Sequence, residues 1–129
     1  MKRIALLALA MTALFSGTAM ASGHHQHTKV VSDCVHAHYK PDSIVIYCDQ
    51  TLALTKITYT KWGTSVAKGT DRTYQDDCKP SCAAGHPVFH HDHFTLYDPR
   101  NRHGMLIFTR VKVFRNGHLY QSYPLSTPS

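Results

Sequence analysis

From Val30 to Tyr123 the chain is a succession of short runs rich in Val, Ile, Thr, Tyr and Phe, each closed by a turn signal. No stretch of it repeats its apolar residues at the helical spacing. Val30 to His38 reads as a strand, Lys40-Pro41-Asp42-Ser43 as a turn, and Ile44 to Cys48 as a strongly β-forming run. Leu52 to Trp62 resumes after Asp49-Gln50. A shorter strand is expected around Ser65-Val66-Ala67, between Gly63 and Gly69, and Thr70 to Lys79 is polar. Val88 to Tyr97 alternates, placing His91 and His93 on one face and His90 with Asp92 on the other. Asp98-Pro99-Arg100-Asn101 reads as a turn, and Met105 to Arg115 as the longest strand. Asn116-Gly117 then joins that strand to His118–Tyr123, a strong short-range hairpin signal. Composition points the same way, since all 8 acids are Asp and the good helix former Glu is absent. The expected fold is all-β, a small antiparallel sandwich or barrel.

The first residues read as an address. Met1-Lys2-Arg3 is basic, Ile4 to Phe15 is apolar except for Thr12, and Ala19-Met20-Ala21 has the small-x-small form of a signal-peptidase site. The apolar run is too short for a permanent membrane span. The expected organisation is a signal peptide over 1–21, a flexible His-rich arm over 22–29, a single β domain over 30–125 and a loose tail over 126–129. Loss of Lys2 and Arg3 with the leader lowers the formal charge from +6 to +4. The destination is secreted or periplasmic.

Four cysteines in an exported chain form an even disulfide set, with three possible pairings. If Val30–His38 and Ile44–Cys48 form a hairpin about Pro41, Cys34 faces Cys48 and Cys78 closes on Cys82. The competing pairing ties Cys48 to Cys78 or Cys82.

The middle of the chain carries Ile44-x-x-x-Cys48-Asp49, Leu54-x-x-Ile57-x-Tyr59-x-x-Trp62-Gly63, Ala67-x-Gly69 and Asp77-Cys78-x-Pro80-x-Cys82-Ala83-x-Gly85, in that order. This pattern resembles a family of small secreted proteins of unknown function common in actinobacteria. The resemblance implies a leader followed by a compact β domain, and brings no activity. It spans about Pro41 to Gly85 and echoes at Phe108-Thr109-Arg110-Val111; Asp71 departs from it where the family tends to carry a second Gly. Trp62 is expected to fill the core.

Histidine is the compositional outlier, with 11 copies. Nine of them fall in three groups: on the arm (His24, His25, His27), at His36 and His38, and at His86, His90, His91 and His93 around Asp92. Imidazole is the commonest protein metal ligand, and i, i+2 residues on a strand project together. His91, Asp92 and His93 are therefore candidate ligands for Zn(II), Cu(II) or Ni(II). A start at Ser22 would give Ser22-Gly23-His24, whose amine, two amides and imidazole can wrap Cu(II) or Ni(II) in a square plane. Catalytic signals are absent: there is no Glu pair, no G-x-S-x-G and no free thiol to expect. No cofactor is required by any motif. The expected role is binding, at an anionic cell-envelope surface, without catalysis. Divalent-metal binding through the histidines is the alternative, and a secreted enzyme of unrecognised type the second. Nucleic acid is not an expected partner, since the chain is exported and has no run of Lys and Arg. No transmembrane segment is expected after processing.

Overall fold

The computed structural model describes residues 27 to 128; the signal peptide and the Ser22-Gly23-His24 site lie outside them. Eight antiparallel strands follow one another: β1 Val30–Val31, β2 Ala37–His38, β3 Ile44–Tyr47, β4 Leu52–Trp62, β5 Ala67–Asp76, β6 Pro87–Arg102, β7 Met105–Arg115 and β8 His118–Pro124. Strands β3 to β8 form one six-stranded meander in sequence order, and β1 and β2 a separate pair. The meander curls into a half-barrel. Its edges, β3 and β8, meet through side chains: the Tyr47 and Tyr123 rings lie 5.9 Å apart, and Ser126 Oγ sits 3.4 Å from the disulfide-bonded Cys48 Sγ. Among the described residues there is no helix, and hence none long and apolar enough to cross a membrane.

Alternation sets the two faces. Ile44, Ile46, Leu52, Leu54, Ala67, Phe94, Leu96, Val111 and Val113 point into the curl and are buried. Gly69 lies among them because nothing larger fits: a methyl there would run into the Thr58 carbonyl oxygen and press on the Phe94 ring. Trp62 occupies one end of this core, edge-on to Tyr39, Tyr59 and Phe108. Its indole donates to the Thr28 carbonyl at 3.1 Å, which satisfies the ring's one polar atom. Asn116 and Gly117 both take positive φ, 52° and 77°, the backbone a two-residue hairpin between twisted strands requires.

Several local expectations change. The stretch Val30–His38 is two short strands, because Asp33 Oδ1 accepts the amides of Val35 and His36 and turns the chain between them. It therefore does not form the expected ladder with Ile44–Cys48; the link is a single bond from Val45 N to Ser32 O at 2.9 Å. The disulfides are nonetheless Cys34–Cys48 and Cys78–Cys82. Thr28 and Lys29 do not belong to a loose arm. Thr28 is buried, and Lys29 exchanges backbone hydrogen bonds with Leu106 and Phe108 of β7. The strand expected around Ser65-Val66-Ala67 begins at Ala67 and runs on through the polar stretch to Asp76, paired residue for residue with β6. Strand β6 also runs through Asp98-Pro99. Pairing with β5 ends at Leu96, so Pro99 sits where only β7 is a neighbour, and its missing N–H leaves no ladder broken on that side.

Candidate functional site

The middle of the sheet carries two different surfaces. On the convex face, facing residues form rows across the strands: Tyr74 with Phe89, Arg72 with His91, Thr70 with His93 and Phe114, and Lys68 with Thr95 and Lys112. An open groove of about 530 Å³ lies here, with Lys56, Thr70, Arg72, Phe89, His91 and His93 along it. Lys56 reaches it from a bulge in β4, where the register with β5 shifts and Lys56 takes φ 48°. The Arg72 guanidinium stacks 4.0 Å from the centre of the Phe89 ring, a cation–π contact that holds it flat against the groove wall. Next to the groove, Lys112 lies 4.7 Å over the Tyr97 ring, and Arg110 Nε donates to Tyr97 Oη at 3.1 Å. Hydrogen bonding from Ser122, with that from Arg110, holds the Tyr97 phenol below its usual range.

Asp71 and Asp92 border the same groove, but alternation turns their side chains to the concave face. Both are buried there, at 4% and 2% exposure. They are direct partners across β5 and β6. Arg115 Nε and Nη2 reach the two Asp92 oxygens at 2.9 and 2.8 Å, a bidentate pair. The other side of Arg115 stacks on the Tyr120 ring at 3.9 Å. Thr73 Oγ1 stands 2.7 Å from Asp71 Oδ2 and 2.6 Å from Asp92 Oδ2. Burial opposes the charge on Asp92, but the hydrogen bonds of Arg115 and Thr73 outweigh it and hold the carboxyl below its usual range. Asp71 has no cation of its own. Burial pushes its carboxyl up to about 7, with the neighbouring Asp92 charge adding to the effect. Among the described residues its Oδ1 has no hydrogen-bond partner.

The expected ligand set His91, Asp92 and His93 is therefore divided by the sheet. His91 and His93 are exposed on the convex face, while Asp92 is committed to Arg115 and Thr73 on the other. The three cannot close on one ion.

A third cluster was only half visible in the sequence. His36 and His38 stand out as an i, i+2 pair, but Asp33 joins them: its Oδ2 lies 2.9 Å from His36 Nδ1 and 3.5 Å from His38 Nε2. The signal that could have found it is the spacing Asp33-x-x-His36-x-His38, in which a turn brings the acid back to the pair.

The chain has no match among protein-family models, curated proteins or solved structures. Function is therefore argued from the three arrangements themselves. The convex groove is a row of cations on a rigid sheet beside a flat aromatic wall. The Asp71–Thr73–Asp92–Arg115 row is a largely buried polar network with one oxygen, Asp71 Oδ1, left without a partner among the described residues. The Asp33 cluster is exposed and open.

Proposed function

We propose that this protein is an exported binding domain that holds an anionic cell-envelope polymer in its convex groove. The observation that carries the reading is the sorting of charge by face. Lys56 and Arg72 line the groove with two imidazoles, while the acids nearest to it, Asp71 and Asp92, are turned into the core. The cations there have no carboxylate to neutralise them, so a polyanion gains their full attraction. The Arg72–Phe89 stack adds a flat surface against which the ring of a sugar unit can rest. The leader pattern and two disulfides suit a protein that works outside the cytoplasm. Catalysis is not part of the reading.

The test is binding of the mature protein to a phosphate- or carboxylate-bearing wall polymer, with anionic and neutral vesicles as separate arms. Polymer affinity is expected to fall by about tenfold or more in Lys56→Ala/Arg72→Ala, the loss of two partly desolvated charge contacts. It is also expected to weaken steeply with salt. Polymer binding unchanged in the double variant, or binding to anionic vesicles alone, overturns the proposal.

A further inference from the structure

We infer that Asp33, His36 and His38 form a divalent-metal site, of the kind that takes Zn(II) with two imidazole nitrogens, one carboxylate oxygen and a solvent-filled fourth position. The argument starts from how Asp33 is held. Its Oδ1 accepts the Val35 and His36 amides at 3.0 and 2.6 Å, so one oxygen is occupied in shaping the turn. The other, Oδ2, faces both imidazoles. The three donor atoms lie within 4.8 Å of one another. Four ligands placed tetrahedrally at about 2.0–2.1 Å from zinc stand ~3.3 Å apart. The two Asp33–His separations, 2.9 and 3.5 Å, bracket that spacing.

The backbone beneath the site is fixed from several sides. Cys34, inside the turn, is bonded to Cys48. Ser32 N donates to His36 O at 3.3 Å, and Ser32 O accepts from Val45 of β3. The pairs Val30 with His38 and Val31 with Ala37 set the height of His38 against the loop. Ligands held on such a frame lose little freedom when metal arrives. All three side chains are exposed, which gives an ion an entry path and leaves the remaining position to water. The donor set also chooses among metals. Every cysteine is in a disulfide, so no thiolate is on offer. Two imidazoles and one carboxylate suit Zn(II), and Co(II) as its coloured substitute. The chain enters the fold beside this cluster, for His27 stacks 4.3 Å from the Tyr39 ring, one residue past His38.

The site shares no residue with the groove or with the expected Cu(II) or Ni(II) set at Ser22-Gly23-His24, and its test removes the latter first. In a mature His24→Ala protein, Zn(II) is titrated by calorimetry, and Co(II) is added to read its visible spectrum. One equivalent of Zn(II), a tetrahedral Co(II) spectrum and a raised thermal midpoint with Zn(II) are expected. Adding His36→Ala/His38→Ala should abolish all three. Asp33→Asn, whose carbonyl oxygen still accepts the two amides, should weaken Zn(II) by about tenfold or more while the unbound protein melts as before. His91→Ala/His93→Ala should change none of them. Zn(II) binding that survives the loss of His36 and His38, or that disappears with His91 and His93 instead, overturns the inference. So does a Co(II) complex without the tetrahedral spectrum.

Discussion

Thr73 has one hydroxyl hydrogen and two carboxylates within hydrogen-bond reach. Asp92, paired with Arg115, is the ionised one and receives it. Asp71 must then hold a proton of its own to bond the same hydroxyl oxygen, which agrees with its carboxyl standing at about 7. The stability consequence has a definite sign. Between the unfolded value of 3.8 and about 7, the folded protein keeps a proton that the unfolded chain releases. Stability therefore falls as pH rises through that window, by on the order of a few kcal/mol. Asp92, depressed when folded, works in the opposite sense: its contribution is present above the ordinary carboxylate range and is lost as pH falls through its folded value. Asp71→Asn replaces the acid proton with an amide donor. Melting midpoints from pH 4 to 9 should show it flatter than the parent and more stable than the parent above pH 7. An Asp71→Asn protein with the parent's slope would refute the proton assignment. None of this was legible in the sequence, where Asp71 appears only as a departure from a pattern and Asp92 as a neighbour of histidines. A buried carboxylate pair needs the register of three strands to be known.

At the level of single strands, β4, β7 and the Asn116-Gly117 hairpin were legible because their residue types, alternation and turn chemistry agree. Strand β5 was not. It turns Gly69, Asp71 and Thr73 into the core, so its inward face carries no apolar period beyond Ala67. What makes it a strand is its ten-residue ladder with β6. Gly69→Ala is accordingly expected to destabilise the domain by roughly 1–3 kcal/mol through overpacking, read as a shift of the urea midpoint. A neutral outcome would show that Thr58 and Phe94 can move aside. The disulfide pairing is the expected one although the hairpin expected to support it does not form, since a loop from Ser32 to His36 brings Cys34 to Cys48 as well as a ladder would. At the candidate sites, the separation of His91 and His93 from Asp92 follows from alternation alone. The convergence of Asp33 on His36 and His38 depends on a side-chain turn that alternation does not describe.

In the molecule as a whole, one disulfide fastens the amino-terminal strand pair to a sheet that, among the described residues, is not closed by backbone bonds, and the other closes a short loop between β5 and β6. The Cys34–Cys48 bond ties the Asp33 loop to the end of β3. Its replacement by Cys34→Ser/Cys48→Ser is expected to lower stability by about 2–4 kcal/mol and to raise amide exchange at residues 32–38 ahead of the rest. Uniform exchange across the sheet would mean the loop is held by other contacts. Every pairing in the meander joins neighbours in sequence, so the large sheet can assemble one hairpin at a time. The parallel bridge from Lys29 to Ile107 is different. A chain released with its amino end first delivers Thr28 and Lys29 at the outset, yet their partners on β7 arrive only after most of its length has emerged. The backbone bonds of Lys29 to Leu106 and Phe108 therefore wait for β7, and the segment at Thr28 and Lys29 is fully held only once that strand has arrived.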